Sequence, residues 1–298
     1  MGHLRTLLAR NQAVVVNEMK PVRYEEEGVA TAVGAIFAIL IFVFLLSLFI
    51  TSYVPAEMRS YEEQYSSSVQ NEMVQLTSTL SQLSSSYQQG SSSSVAFNLQ
   101  SSYIPLFSSP TVGELSLSSS NGASSGFLSI SNSTEKISSG GVLTVVTNNR
   151  YFVDEAYSYE FSTVFYEQVG SNPPINTTFE SNLVQVNPPS NGSINLTMNL
   201  FNLMGGPFNI STQSPFSLGL TALSKISILM AGNLTITCSS NSGERLYNVL
   251  KQELSPIHNL HLSYVASTAG YDYISLYSTS IPIALQVTEV SVMVSANG

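Results

Sequence analysis

An unbroken run of apolar residues near the N-terminus is the strongest pattern in the chain. Residues 29–54 contain no charged side chain. At about 1.5 Å per residue, a helix over these positions is about 39 Å long, which crosses a hydrocarbon core of about 30 Å with some tilt. A cleaved secretory signal has a shorter apolar region, of about 7–15 residues, followed by a small-x-small site. Tyr53, Val54 and Pro55 stand at that place instead, so the run predicts a transmembrane helix.

Within this run, small residues recur every four positions, at Ala30, Gly34 and Ala38. Small side chains at this spacing lie on one helix face and let two helix backbones approach closely. The pattern predicts a helix-packing face through which the helix self-associates.

Basic residues predict how the helix is oriented. Arg5, Arg10, Lys20 and Arg23 precede it, and only Arg59 follows closely. Because short cytoplasmic flanks retain Lys and Arg during insertion, residues 1–28 are predicted to form a cytoplasmic leader of a single-pass protein of the cell membrane. A leader of this length cannot bury a core, so the folded part is expected outside the cell.

A second helical pattern covers residues 55–89, where apolar residues recur at steps of three and four. It predicts an extracellular amphipathic helix with one apolar seam, and Pro55 is expected to kink or interrupt the helix at its start. Three interpretations of the seam are open: a coiled-coil-like stalk, a helix resting on its own ectodomain, or an assembly seam that packs against neighbouring copies. The seam consists of Val69, Met73, Leu76, Leu80, Leu83 and Tyr87.

Beyond residue 90 the pattern is typical of β-structure. Residues 90–125 are interpreted as a Ser-rich joint, flexible over residues 84–94, followed by the first β segments, and residues 126–298 as a β-rich ectodomain. The fold class is predicted as α+β: a long N-terminal transmembrane and amphipathic helix followed by an antiparallel β-sandwich-like extracellular domain. One helix is expected at residues 244–254, with Ser242 as its cap. The candidate strands are residues 126–130, 141–147, 157–166, 183–186, 193–201, 216–221, 225–229, 233–238, 271–277 and 281–294.

Composition agrees with an extracellular domain. The chain has ten basic and nineteen acidic residues, and four of the basic ones lie in the leader, so nucleic acid is excluded as an expected partner. The single cysteine, Cys238, allows no internal disulfide and is predicted to be a small apolar residue of a strand. The number of Asn-x-Ser/Thr acceptors is about what chance gives in a chain this rich in Ser and Thr, so they permit N-glycosylation without proving it. They begin at Asn132, Asn176, Asn191, Asn195, Asn209 and Asn233.

No pattern of catalytic, cofactor-binding or metal-binding residues is recognisable. The chain has no Gly-rich phosphate loop, Gly-x-Ser-x-Gly elbow or Cys-x-x-Cys pair. His258 and His261 have no Asp, Glu or Cys next to them and are predicted to be surface loop residues. Asp154 and Glu155 lie among tyrosines, but adjacent carboxylates point to opposite faces of a strand, so both are predicted to be solvated turn residues. We expect no enzymatic activity, no cofactor and no metal.

The order of these elements resembles archaeal type IV pilins and pilin-like surface proteins, in which a short charged leader ending in Gly precedes an apolar helix, its amphipathic half and a β-domain. The segments EEGVATAVGAIFAILIF, YVPAEMRSYEEQYSSSVQNEMVQL and NNRYFVDEAYSYEF are similar to archaeal membrane-anchored proteins with pilin-like N-termini. The resemblance implies that a prepilin peptidase cuts between Gly28 and Val29 and that copies of the chain, or other pilin-like subunits, pack through the apolar helix. The chain departs from the family pattern at residues 25–27, which are Glu where a basic residue is usual, and at Val33, where many bacterial pilins carry an acidic residue.

Two functions follow as expectations. The first is a pilin-like structural or adhesive cell-surface protein anchored by its N-terminal helix. The alternative is a solitary membrane-anchored extracellular binding module of the cell envelope.

Overall fold

The computed structural model describes residues 23–119, 126–171, 175–190, 192–239, 242–268 and 270–297. By its internal contacts the chain consists of two units, residues 1–53 and 54–298. The fold is α+β, with one long apolar N-terminal helix followed by a β-rich domain whose strands are mostly antiparallel. This confirms the predicted fold class at that level. Residues 1–22 of the predicted leader lie outside the described residues.

The first unit is helical where it is described. Helix α1 (Arg23–Leu48) ends in a π-helical turn at Phe49–Tyr53. In this turn the Phe49 and Tyr53 rings stack with their centroids 4.9 Å apart, and the Thr51 hydroxyl donates to the Ser47 carbonyl over 2.7 Å. The interruption expected near Pro55 is therefore present as a π-helical turn before it, where a proline removes a backbone donor from the helical ladder.

The second unit begins with helix α2 (Val54–Ser85) and contains one further helix, α3 (Gly243–Glu253). The position of α3 agrees with the helix predicted at residues 244–254. Ser242 stands at its N-cap position but makes no capping hydrogen bond through its side chain. Its hydroxyl donates instead to the Glu160 carboxylate over 2.5 Å, so the predicted cap is wrong in its role.

The β-rich domain is built from strands of very different length. The described residues form sixteen strands, which are β1 (Ser92–Phe97), β2 (Glu114–Ser118), β3 (Leu128–Ser131), β4 (Lys136–Ser139), β5 (Val142–Thr147), β6 (Glu155–Glu160), β7 (Thr163–Gln168), β8 (Ile175–Ser181), β9 (Val184–Ser190), β10 (Ser193–Met204), β11 (Phe208–Ile210), β12 (Phe216–Ala231), β13 (Leu234–Ser239), β14 (Leu260–Val265), β15 (Tyr271–Ser278) and β16 (Ile283–Asn297).

These strands form three sheets. Their strand orders are β1-β12-β16-β10-β9, β11-β2-β5-β6-β7-β8 and β14-β15-β13-β3-β4. The pairing of β10 with β16 is parallel, from Ile194 opposite Ile283 to Met204 opposite Met293. This pair departs from the all-antiparallel prediction, because parallel neighbours require a long crossover that short-range patterns do not reveal.

Two hydrophobic cores lie on opposite faces of the first sheet. On β16, Ile283, Leu285 and Val287 belong to one core and Val290 and Val292 to the other. Successive side chains of a strand point to opposite faces, so the odd and even residues of one strand serve different cores. One core also contains the buried face of α2 and part of the six-stranded sheet, and the other contains α3 and the third sheet.

Two predicted strand boundaries are corrected. Residues 157–166 form two strands, β6 and β7, joined at Phe161 and Ser162, whose φ angles are 52° and 59°. Positive φ at both central residues is typical of a tight hairpin turn, which usually contains Asn or Gly. Residues 216–221 and 225–229 are instead parts of one strand, β12, which continues through an irregularity between Ala222 and Ser224.

The predicted flexible joint is also corrected. Helix α2 extends to Ser85, and β1 pairs with β12 from Ser92 onward. Between them, the Gly90 N–H donates to the Ala222 carbonyl over 2.8 Å, and the Ala222 N–H donates to the Ser91 carbonyl over 2.9 Å. Backbone hydrogen bonds therefore fix this Ser-rich connection to the first sheet.

Candidate functional site

The predicted processing and helix-packing residues all lie on α1. Gly28, Val29, Ala30, Gly34 and Ala38 are exposed. A Cβ atom added at Gly28 or Gly34 would meet no atom of the described residues within 4 Å. The small-residue face is therefore open in the described part of the chain, and cleavage and self-association stay predictions.

The seam of α2 is covered by the β-rich domain of the same chain. Val69, Met73 and Leu80 are fully buried, and the seam as a whole belongs to the core that α2 shares with the first and second sheets. Tyr87 is partly buried against this core, and its hydroxyl donates to the Leu223 carbonyl over 3.3 Å. Of the three interpretations, the structure shows the helix resting on its own domain. Leu76 and Leu83, the two remaining members of the predicted seam, are buried as well. The buried seam residues therefore leave no surface there for a neighbouring copy.

The N-terminal half of α2 holds the loop between β5 and β6. Glu62 on α2 is fully buried, and its carboxylate accepts hydrogen bonds from the backbone N–H groups of Arg150, Tyr151 and Phe152 over 3.0, 2.6 and 2.7 Å. Three N–H donors satisfy a carboxylate without a cationic side chain. Glu62 therefore fixes the loop on the helix.

The loop is also closed internally. The Asp154 carboxylate accepts from the Asn149 N–H over 2.6 Å, and the Asn149 amide donates to the Val153 carbonyl over 2.7 Å and to the Ser66 hydroxyl of α2 over 3.3 Å. These contacts position Phe152 at the edge of a groove beside α2.

This groove, which we call the aromatic groove, has a volume of about 380 Å³. One wall is a stripe of α2, whose residues recur at helical spacing, and the other wall consists of side chains from β6, β7, β8 and the β5–β6 loop. The described lining residues are Glu63, Ser66, Ser67, Gln70, Phe152, Glu155, Tyr157, Tyr166, Thr177 and Phe179.

Glu155 lies at the floor of the aromatic groove and corrects the prediction of a solvated turn residue. It is the first residue of β6 and only 7% exposed. Its two carboxylate oxygens accept from the Tyr157 and Tyr166 hydroxyls over 2.8 and 3.0 Å. Tyr166 reaches it from the neighbouring strand β7, a contact that short-range sequence patterns do not indicate.

The two tyrosines are held in their neutral form. Burial, and then the hydrogen bond to the Glu155 carboxylate, raises the pKa of Tyr157 far above its ordinary value. Burial and the charge of Glu155 raise the pKa of Tyr166 to about 12. Since both hydroxyls donate to Glu155, the three side chains can only accept further hydrogen bonds at the floor of the groove.

A second groove, which we call the polar groove, lies beside the C-terminal half of α2 and has a volume of about 610 Å³. Hydroxyl and amide groups dominate its lining, among them Ser78, Gln82 and Asn199. Its lysine, Lys225, donates to the Ser84 carbonyl over 2.7 Å. The Lys225 ammonium group therefore pairs with a backbone carbonyl in the last turn of α2.

The remaining candidates for chemistry lie apart from both grooves. Cys238 is buried in β13, and burial raises the pKa of its thiol to about 12, which keeps it unreactive as predicted. His258 and His261 are exposed; His261 lies on β14, not in a loop, and stacks on Tyr277 with ring centroids 5.3 Å apart. Within the described ranges, no three His, Cys, Asp or Glu residues are grouped so that they could hold a metal ion.

The candidate glycosylation sites differ in how their amides are used. The amides of Asn132, Asn195 and Asn209 donate to the Ala231 carbonyl, the Pro188 carbonyl and the Glu114 carboxylate. Asn209 and Asn233 are exposed, the latter between β12 and β13, whereas Asn132 and Asn195 are half-buried. Asn176 lies in β8, but its side chain is outside the described part of the chain, as is the whole of Asn191.

Sequence reasoning missed Glu62 and the groove that it supports, although a signal for Glu62 was present. Met58, Glu62, Tyr65 and Val69 follow one another at steps of four, three and four, so the carboxylate occupies a seam position where an apolar residue is expected.

No protein-family model matches this chain, and no curated protein or solved structure is significantly similar to it.

Proposed function

We propose that the chain is a pilin-like structural or adhesive cell-surface protein, anchored in the cell membrane by α1 and exposing its β-rich domain outside the cell. The observation that carries the proposal is the apolar surface of α1. Its most apolar stretch is long enough to cross a membrane and is not buried at all; Phe37, Phe42 and Phe44 are 61–64% exposed. Such a surface must be covered by lipid or by other helices.

The details of the proposal come from the sequence. The basic residues before the apolar run at residues 29–54 favour a cytoplasmic N-terminus, and the resemblance to pilins favours cleavage by a prepilin peptidase between Gly28 and Val29. Copies of the chain, or other pilin-like subunits, would then pack through α1. Because the seam of α2 is buried, this assembly is proposed through α1 alone.

A solitary membrane-anchored binding module of the cell envelope is the second candidate. Two observations favour it: the seam of α2 packs on its own domain, and the aromatic groove offers a preformed cleft. This candidate shares the anchor but requires neither cleavage nor assembly.

The mature N-terminus distinguishes the two candidates. Mass spectrometry of the protein from membrane and sheared-filament fractions of its own cells should find a start at Val29 in filaments if the chain is pilin-like. A start within residues 1–2, confined to membranes, would overturn the pilin-like proposal and favour the solitary module. Recovery of the protein in the soluble fraction would contradict both.

A matched pair of variants assigns the cleavage to the proposed bond. Gly28→Val places a branched side chain immediately before that bond and should abolish the start at Val29. Val33→Ile, which changes size and not polarity five residues later, should leave the start in place. If both variants give the same N-terminus as the natural sequence, a prepilin-type peptidase is not responsible.

A further inference from the structure

We propose that the aromatic groove binds an organic cation, an ammonium or guanidinium group such as a lysine or arginine side chain or a free polyamine carries. The inference concerns the β-rich domain and does not depend on how the chain is anchored or assembled.

The charge of the groove is the first argument. Among the described residues that line it, Glu63 and Glu155 are carboxylates and none is basic. Glu155 is 7% exposed, and within the described part of the chain its carboxylate contacts the hydroxyls of Tyr157 and Tyr166 but no cationic group. A buried carboxylate without a counter-charge is costly, and a bound cation supplies that charge.

The hydrogen-bonding capacity of the floor is the second argument. Tyr157 and Tyr166 each use their one hydroxyl proton on Glu155, so the floor offers the lone pairs of the Glu155 carboxylate and no donor from these three side chains. An ammonium group has three donors and a guanidinium group five, and neither has an acceptor that would be left unpaired. A neutral sugar needs donors as well as acceptors and would leave the charge of Glu155 uncompensated.

The aromatic rings are the third argument. Phe152, Tyr166 and Phe179 line the groove beside the carboxylates, and aromatic rings attract cations through their negative faces. The loop that carries Phe152 is already held by Glu62, so little ordering is needed on binding. The volume of about 380 Å³ is suited to a small ligand or a single side chain.

Binding is tested by isothermal titration of the full chain in detergent micelles. Two probes distinguish the sources of the cation: spermidine stands for a free polyamine, and Nα-acetyl-lysine methylamide stands for a lysine of a protein partner. Nα-acetyl-norleucine methylamide, which has a similar shape and no charge, is the control ligand. Saturable binding of either cationic probe, weakened by added KCl and absent for the control ligand, is the expected result.

Three variants locate the site. Glu155→Gln should weaken binding about tenfold or more, because it removes the buried charge. Glu63→Gln and Phe179→Ala change exposed groups of the groove and should weaken binding about two- to fivefold each. Glu135→Gln removes the same charge from an exposed turn away from the groove and should not change the affinity.

The exposed-residue variants keep the proposal falsifiable if Glu155→Gln fails to fold. Equal affinity for the norleucine derivative, affinities unchanged in Glu63→Gln and Phe179→Ala, or no saturable binding of either cation would each overturn the proposal. Preferential binding of a neutral disaccharide would overturn it in favour of a sugar site.

Discussion

At the scale of single residues, a buried carboxylate of α2 connects the helix to a loop far away in sequence. Glu62 is fully buried and accepts three backbone N–H groups from residues 150–152. Without it, those N–H groups would lose this shared acceptor. One side chain therefore connects the N-terminal half of the helix to the loop that carries Phe152 in the aromatic groove.

Replacing this side chain should destabilise the domain strongly. We expect Glu62→Ala to lower the free energy of unfolding by about 3 kcal/mol or more, because it removes three charge-assisted hydrogen bonds made by a fully buried carboxylate. Urea denaturation of the full chain in detergent measures the change. Glu63→Ala, an exposed neighbour on the same helix, is the control and should have little effect; equal losses in the two variants would contradict the assigned role.

The burial of single residues could be predicted from the sequence only where it depends on local patterns. The burial of Cys238 could be predicted because alternation along one strand is a local signal. The burial of Glu155 could not, because it depends on a tyrosine eleven residues away on the next strand, and on a hairpin turn that lacks the usual Asn or Gly. The groove escaped prediction for the same reason: its residues come from α2, β6, β7 and β8, which the chain brings together only on folding.

At the scale of elements, the amphipathic helix was predictable and its partner was not. A repeat of three and four residues establishes that one face of α2 is covered, but the same repeat fits a stalk, an assembly or the chain's own sheets. Strands rich in Ser, such as β1 and β4, are absent from the candidate strands because Ser is not enriched in strands. Their places are determined by pairing with β12 and β3.

The seam gives a direct test of this packing. Leu76 is 1% exposed and belongs to the core of the β-rich domain, so Leu76→Ala should lower the free energy of unfolding by about 2–5 kcal/mol. Gln75→Ala, on the exposed side of α2, should have little effect. Thermal denaturation of both variants in their monomeric form measures the change in stability. An unchanged stability for Leu76→Ala would mean that the seam is not packed within the chain.

The small residues of helix α1 are exposed, so whether the helix self-associates through them can be tested directly. If Ala30, Gly34 and Ala38 form a helix-packing face, Gly34→Ile should reduce self-association in a membrane reporter assay, because the larger side chain keeps the backbones apart. Val43→Ile adds bulk on the opposite face of the helix and serves as the control. An unchanged signal for Gly34→Ile would show that α1 does not associate through this face.

At the scale of the whole molecule, the domain combines few charges with several buried carboxylates. Within the described residues there is one ion pair, between Arg245 and Glu167 at 3.7 Å. Burial raises the pKa of Glu160, Glu253 and Glu289, against the opposing effect of hydroxyl, amide or backbone donors and, for Glu160, of the positive charge of Arg245. Stability in this domain therefore depends on the protonation of buried acids.

Glu72 makes the direction of this dependence measurable. Burial raises the pKa of its carboxyl to about 7, against the opposing hydrogen bonds from the Asn98 N–H and the Ser68 hydroxyl. Because the folded-state pKa lies above the unfolded value of 4.5, the folded state binds the proton more tightly. The resulting stability is fully present below about pH 4.5 and is lost as the pH rises through about 7. The raised pKa values of Glu160, Glu253 and Glu289 act in the same direction.

The domain should consequently have a higher Tm at about pH 4.5 than at about pH 8, measured by thermal denaturation of the full chain in detergent. Glu72→Gln should flatten the dependence between these values, since it keeps the shape of the side chain and removes its titration. Glu135→Gln, which removes an exposed carboxyl, should leave the dependence unchanged. A Tm that rises with pH over this range would contradict the prediction, because it would show that the folded domain stabilises the buried carboxylates as anions. The single ion pair among the described residues, between Arg245 and Glu167, could not supply that stabilisation at Glu72.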